Sequence, residues 1–388
     1  MIDIGSVKSY LQDHSLDGWL LYDFQQLNPI FWEALGRSAH VTRPCWFFIP
    51  AHGDPVLIAH KVDTGKFSDL GLKTSVYSGR RDMQHHLGEI LRVGQTVAME
   101  YSPLAALPVI SRVDAGTVEL VKSLGAAVVS SADVVQHAIG RLDKAQADSQ
   151  ASAARQLGTI VNEAFQFIRG NLSSGVTEHD VCEFIRLRFV AEHLITDSGP
   201  IVAVNEHSGD PHYEPTPGTS QQIRPGDWIL IDLWAKEEQE NAVFGDITWV
   251  AFAGDEVPEA HRKAFDIVKN ARNLALDFIQ EAFRRGEFLQ GWQVDECARD
   301  FIASSGYGAY FTHRLGHSLG KTVHSYAVNL DSFETRDTRR ISPGIAFTIE
   351  PGVYMPEFGV RSEINVFMSD QGPAVTSPVQ EEVVLIAS

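Results

Sequence analysis

Hydrophobic positions along the chain fall into two regimes that change near residue 140. Before it, short apolar runs of strand length alternate with amphipathic stretches. The segments "DGWLLYD" (17–23), "RPCWFFIP" (43–50), "DPVLIAH" (54–60), "QTVAME" (95–100) and "GAAVVSS" (125–131) lie between turn residues and predict strands. "DMQHHLGEILRVG" (82–94) and "GTVELVKSLG" (116–125) predict helices near them. This alternation predicts an α/β domain over residues 1–140.

From 141 the spacing lengthens. "RLDKAQADSQASAARQLGTIVNEAFQFIRGNL" (141–172) is rich in helix formers and opens a second domain, 141–388. Thr177 is placed to cap the next helix, "EHDVCEFIRLRFVAEHL". In 259–286, Phe265, Val268, Ala271, Ala275, Phe278 and Ala282 form one stripe, and Gly286 ends it. A shorter helix surrounds "VDECARDFIASSG". Strands are expected at 201–204, 228–235, 243–253, 345–354 and 359–368. Segregated strands and helices predict an α+β domain in which helices cover a curved, largely antiparallel sheet.

Composition narrows the class. The 388 residues are 44% hydrophobic and 21% charged, as in ordinary globular proteins. A formal net charge of -18 excludes nucleic acid and anionic membrane as expected partners. Cys45, Cys182 and Cys297 are sparse and show no CxxC spacing, so reduced thiols and a cytoplasmic location are expected. The N-terminus does not read as a signal peptide, and no apolar run approaches the roughly 20 residues of a membrane span.

Against this ordinary background, two strands carry acids where apolar residues belong. "WILIDLW" holds Asp232 and "VFGDITWVAF" holds Asp246. A hairpin centred on 239 would oppose the two carboxylates directly, with Cβ atoms about 4.5–5.5 Å apart. Buried acids need compensation. The pattern recurs in "FTIEPGVYMPEFGVRSEINVF", where Glu350 and Glu363 are symmetric about 356–357. Between the hairpins, "THRLGHSLGKTVH" supplies His313, His317 and His324 beside Gly316 and Gly320. Four carboxylates and an imidazole form an oxygen-rich set that suits Mn²⁺, Co²⁺ or Fe²⁺ at least as well as Zn²⁺. Four acids exceed the charge of one divalent ion and neutralise two, and two-metal sites hydrolyse amides or esters.

These residues resemble the creatinase/methionine-aminopeptidase superfamily of pita-bread metallopeptidases, closest to Xaa-Pro dipeptidases (prolidases). The ordered set Asp232, Asp246, His317, Glu350, Glu363 stands in the contexts "DLW", "GDIT", "GHSLG", "IEPG" and "RSE". The resemblance covers about 150–388 strongly, while residues 1–140 match the creatinase/prolidase-like N-terminal domain in general character only. It implies two divalent metal ions, Mn²⁺ foremost. Asp232 would bind one, Asp246 and Glu363 would bridge, and His317 with Glu350 would complete the second site. Glu350 would also shuttle a proton. His324 would contact the substrate carbonyl or its oxyanion, His212 in "GDPHYEP" would help to seat substrate, and Arg361 would hold the substrate carboxylate. A homodimer is implied as well.

Val243 stands where many prolidases have tyrosine, Trp249 where arginine often follows "DIT", and Ser318 where glycine is usual. None removes a ligand. The expected activity is hydrolysis of the amide before proline in Xaa-Pro dipeptides. The alternatives are an Xaa-Pro aminopeptidase acting on longer peptides, and a pita-bread binding module without catalysis.

Overall fold

The computed structural model describes residues 1–386 and divides into two compact units, Met1–Arg141 and the chain from Leu142 onward. In the first unit, helix α1 (Ile4–Asp13) precedes strand β1 (Gly18–Asp23), helix α2 (Pro29–Leu35) and strands β2 (Cys45–Pro50), β3 (Val56–His60) and β4 (Lys73–Tyr77). Helix α3 (Arg80–Ile90), strand β5 (Thr96–Met99), helix α4 (Ala115–Ser123), strand β6 (Ala127–Ser130) and the short helix α5 (Ala132–Val135) complete it. The six strands form one mixed sheet in the order β4-β3-β2-β1-β5-β6. Leu20, Trp46, Ile58 and Val97 of the strands pack against Leu87, Val118 and Val121 of the helices.

Four elements of this unit, α1, α2, β4 and the four-residue α5, escape the hydrophobic pattern. α1 buries only Val7 and Leu11, which is too thin a stripe to stand out. α2 buries five of its seven residues and so has no polar face; its signals are the Asn28 cap, Pro29 and left-handed Gly36. β4 is an edge strand with only Tyr77 buried.

The second unit begins with α6 (Lys144–Asn171) and α7 (Glu178–Ala191), each opened by a capping box, from Asp143 and Thr177. Strands β7 (Leu194–Ile195), β8 (Ile201–Val204), β9 (Trp228–Glu237) and β10 (Gly245–Phe252) follow, then helices α8 (Glu259–Arg284) and α9 (Gly291–Ser304). The C-terminal strands are β11 (Ser318–Leu319), β12 (Ile345–Ile349), β13 (Gly352–Tyr354), β14 (Gly359–Arg361), β15 (Ile364–Ser369), β16 (Gly372–Val375) and β17 (Val384–Leu385). One sheet runs β17-β10-β9-β7 with β8 also on β9; a second runs β11-β12-β15-β16; β13 and β14 pair as a ribbon. All these pairings are antiparallel except β10 with β17.

Strand alternation decides which way the acids point. Ile229, Ile231 and Leu233 of β9, with Ile247 and Ala251 of β10, pack against Leu157, Ile160, Val161 and Phe165 of α6. Trp228, Leu230 and Val250 face the opposite way and join the core under α8 and α9. Asp232, Asp246 and Thr248 share the parity of that second set, so all three project from one face of the hairpin.

The register of that hairpin corrects the expected direct opposition. Asp232 pairs with Thr248 and Asp246 with Trp234, a slip of two. The cause is an asymmetric turn: β9 runs on to Glu237, and the Phe244 amide donates to Gly320 O instead of continuing the ladder. A slip of two preserves the face, so the acids become diagonal neighbours. The second hairpin keeps the expected centre. Ile349 pairs with Ile364 and Gly352 with Arg361, which leaves Glu350 and Glu363 opposite each other where the strands break.

Candidate metal centre and substrate cavity

At that break the two backbone amides turn to other elements. Glu350 N donates to Leu315 O at 2.8 Å, and Glu363 N donates to Thr248 O at 3.3 Å. One acid is thereby tied to the histidine segment and the other to β10. Gly316 makes the first join possible, because a Cβ there would lie 2.1 Å from Thr348 O. Next to it, His317 N donates to Thr348 Oγ1 at 3.0 Å and Thr348 N to His317 O at 2.9 Å.

The result is a tight buried cluster. Ligand atoms of Asp246, His317 and Glu363 all lie within 4.8 Å of one another. His317 Nε2 is 3.5 Å from Asp246 Oδ2 and 3.4 Å from Glu350 Oε1. Thr348 Oγ1 donates to Glu350 Oε1 at 3.1 Å, and Thr248 Oγ1 to Glu363 Oε2 at 2.8 Å. Asp232 Oδ1, Asp246 Oδ1 and Glu363 Oε1 are buried without a hydrogen-bond partner. Orphaned buried carboxylate oxygens are costly, and a divalent cation is what satisfies several at once. The residues present therefore fit a metal centre, with oxygen donors dominant.

Electrostatics agree. Burial, followed by Glu363, Asp232 and Glu350, pushes the Asp246 carboxyl well above the usual carboxylate range. Burial, then Glu350 and Asp232, does the same for Glu363. Glu350 is pushed up to about 7, mainly by burial and against the pull of Arg361 and Arg314. Burial, then His324, holds His317 well below its ordinary value, so its imidazole is neutral and free to ligate. The raised carboxyls are those of buried acids crowded together, and the lowered imidazole is that of a buried base beside a second ring.

A cavity of about 730 Å³ opens onto the cluster. All eight residues singled out from sequence line it: Asp232, Asp246, His317, Glu350 and Glu363, with His212, His324 and Arg361. His324 stands edge-on to His317, ring centroids 4.3 Å apart. Its value is lowered to about 4 by the surrounding walls, with Arg314 and His212 adding to the effect. The ring nonetheless keeps surface open to solvent, and it is neutral near pH 7. His212 is exposed on the wall, in a loop tied down by the buried Glu178. Glu178 accepts from Val204 N, Gln221 N and Tyr213 OH at 2.7, 2.7 and 2.8 Å, and its Oε1 lies 2.9 Å from His207 Nδ1.

Arg361, expected to meet a substrate carboxylate, is tied into the cluster. It is only 4% exposed, and its nitrogens donate to Thr248 Oγ1 (2.9 Å), Tyr354 OH (2.7 Å) and Asp232 Oδ2 (2.5 Å). With each guanidinium nitrogen making one of these bonds, it braces the cluster. Tyr354 OH in turn lies 2.7 Å from His313 Nε2, and His313 Nδ1 lies 2.6 Å from Arg314 O. A tyrosine that accepts from Arg361 donates to His313 Nε2, leaving the proton of the neutral ring on Nδ1. Burial keeps His313 in that neutral form, lowering it to about 3.

Sequence reading did not single out Thr248, Thr348, Tyr354, Asn365 or Glu178. Thr248 could have been found by period-two spacing from Asp246. Asn365, whose Oδ1 accepts from Asp246 N at 3.0 Å and from Gln150 Nε2 at 2.8 Å, has no local signal because its partners lie far off in the chain.

Helices backing an antiparallel sheet, with a buried carboxylate–histidine cluster on the sheet's other face, define a pita-bread metallopeptidase. The chain belongs to metallopeptidase family M24, whose match spans residues 152–370. It is 25% identical over 346 residues to a probable dipeptidase PepE of Mycobacterium bovis, covering 87% of this chain and 84% of that one. Its fold is shared with the solved dipeptidase PepE from Mycobacterium ulcerans (TM-score 0.74, 22% identity, 99% of this chain and 97% of that one). It is also shared with a prolidase from Thermococcus sibiricus (TM-score 0.69, 23% identity, 98% of each chain). Among the described residues no helix is long and apolar enough to cross a membrane.

Proposed function

We propose that this metallopeptidase hydrolyses the amide bond before proline in Xaa-Pro dipeptides, using two divalent ions, Mn²⁺ foremost. The observation that carries the reading is the clustering of Asp246, His317 and Glu363, whose ligand atoms lie within 4.8 Å of one another, together with buried carboxylate oxygens of Asp232, Asp246 and Glu363 that have no partner. Asp232, Asp246, His317, Glu350 and Glu363 would hold the ions. Bound there, the ions would supply Lewis acidity toward the scissile carbonyl and lower the pKa of a water so that it can act as a hydroxide nucleophile near neutral pH.

The chain's own groups do the rest. Glu350, steadied by Thr348, takes a proton from the attacking water and returns it to the leaving amine. Neutral His324 offers an N–H to the carbonyl oxygen as negative charge develops there. His212, on the loop fixed through Glu178, borders the same cavity and seats the substrate. Arg361 acts as a positioning residue, keeping one oxygen of Asp232 fixed and leaving the other without a partner, where it would be available to a metal ion. The names of the relatives, a probable dipeptidase and a prolidase, support both the dipeptide length and the proline.

The test is a cleavage panel on chelated protein reloaded with Mn²⁺, Co²⁺ or Zn²⁺. Leu-Pro is expected to be cleaved faster than Leu-Ala and than Leu-Pro-Gly. Equal rates on Leu-Ala remove the proline requirement, and a faster tripeptide makes the enzyme an Xaa-Pro aminopeptidase.

A further inference from the structure

Two arginines line the substrate cavity, and they differ in what is left for a ligand. Arg361 is buried with its nitrogens engaged by Thr248, Tyr354 and Asp232. The Arg314 side chain is 23% exposed, and its guanidinium meets a single carboxylate, Glu334, with Nη1 3.6 Å from Oε2. That separation is well beyond the about 2.7–2.9 Å of a charge-assisted hydrogen bond. Most of the planar donor fork of Arg314 therefore remains to be matched. No lysine lines the cavity among the described residues.

The backbone beneath Arg314 is fixed from every side. Arg299 Nη2 donates to His313 O at 2.7 Å, and Arg314 N donates to Glu334 Oε1 at 2.9 Å. His313 Nδ1 holds Arg314 O at 2.6 Å, and Leu315 N donates to Asp295 Oδ1 at 2.7 Å. Arg299 itself is held on Asp295 at 2.9 and 3.0 Å and sandwiched between the rings of Phe311 and Phe333. Glu334 sits on a turn whose amides at Phe333, Glu334 and Thr335 all donate to Asp331. Three residues further on, the same chain segment delivers His317 to the metal cluster, so the cation is set at a fixed offset from the reacting bond.

We infer that Arg314 receives a carboxylate of the substrate, the role the family resemblance implied for Arg361. The inference rests on the peptidase reading above and adds its anchor for negative charge. A bidentate carboxylate matches the guanidinium better than Glu334 does at its present distance. The carboxylate can be the C-terminus of a dipeptide or an acidic side chain before proline; the recognising chemistry is the same.

Four compounds separate the sources: Leu-Pro with Leu-Pro-amide, and Asp-Pro-amide with Asn-Pro-amide. kcat/KM for each is measured on Mn²⁺-loaded wild type, Arg314→Gln and Arg314→Lys. Kd for the same compounds is measured by calorimetry in a Glu350→Gln background, where turnover is suppressed. In the wild type one acid-to-neutral ratio is expected at roughly ten- to a hundred-fold. Arg314→Gln should collapse that ratio toward unity, and Arg314→Lys should restore part of it, which a merely structural role would not do. The pair that responds identifies the source. If neither ratio changes between wild type and Arg314→Gln, in kcat/KM or in Kd, the inference is overturned. If the loaded wild type cleaves none of the four, the peptidase reading fails, while the Kd ratios still decide Arg314.

Discussion

Arg361 donates to Asp232 Oδ2 at 2.5 Å, placing a buried guanidinium under four crowded carboxylates. The cation does for the metal-free cluster part of what metal ions do for the loaded one. It also fixes Asp232 in one orientation, since the second oxygen is left without a partner.

Removing this cation should therefore be costly. Arg361→Gln leaves Asp232 buried and unpaired, and the expected loss is about 3–5 kcal/mol. Denaturant unfolding of chelated protein checks it through a lower midpoint at an unchanged slope. A loss below about 1 kcal/mol would show that the pair is replaceable by solvent.

Removing an acid should have the opposite effect on the metal-free fold. Asp246→Asn or Glu363→Gln takes one repelling charge out of the cluster, so the chelated variant is expected to melt higher than chelated wild type. The same variants should bind less metal and lose at least about a hundred-fold in activity. Metal content by elemental analysis, read beside the melting curve, tests both signs. Retained stoichiometric metal and full activity would sink the two-ion assignment.

The pH dependence of the chelated protein follows from the same groups. Asp246, Glu363 and Glu350 have carboxyls raised above their unfolded values, Glu350 to about 7. Folding then takes up protons, so their contribution is full below about pH 4 and is lost as pH rises through the folded values. The melting temperature of chelated protein should fall between about pH 5 and pH 8 relative to protein loaded with Mn²⁺. A gap between the two forms that stays constant with pH would contradict it.

Glu100 gives the N-terminal unit a similar dependence without metal. It is fully buried, raised to about 7 chiefly by burial, and held by Trp19 Nε1 (2.6 Å), Asn28 Nδ2 (2.9 Å) and Ser131 Oγ (3.2 Å). Stability from its neutral form is present below about pH 4.5 and disappears through about pH 7. Glu100→Gln should flatten this loss, an effect of order 3 kcal/mol at pH 8, whether or not Mn²⁺ is added. Identical pH profiles for variant and wild type would remove the assignment.

Gly316→Ala should uncouple His317 from the acids. A Cβ there would lie 2.1 Å from Thr348 O, inside the strand contact that sets the histidine. We expect lower metal affinity and a loss of a few kcal/mol through overpacking. Metal titration of the folded fraction reads the first effect, and unchanged affinity would count against it.

Much of this site was legible in the sequence because period-two spacing survives errors of register. Asp232 and Asp246 share a face whether they are opposed or diagonal, so the slip of two did not disturb the conclusion. Glu350 and Glu363 were placed correctly because the turn between β13 and β14 is symmetric. What could not be read was the third dimension. The burial of Arg361 depends on Thr248, Asp232 and Tyr354 arriving from three strands. The base under Arg314 depends on α9 and a distant turn. Those partners are separated in the chain, and only the fold brings them together.

The hairpin carrying Glu350 and Glu363 leaves its own ladder at those two residues, donating to Leu315 and Thr248 instead. The acids therefore sit at the seam where two sheets and the histidine segment meet, and their backbone amides are among the bonds that join it. Letting go of either acid loosens contacts on both sides of the seam, because Glu350 shares its hold on the histidine segment with Thr348 and Glu363 shares its hold on β10 with Asn365. Metal loss and fraying of this half of the molecule should thus be one event in time, with an ion's residence governed by the opening rate of the seam rather than by the strength of any one ligand.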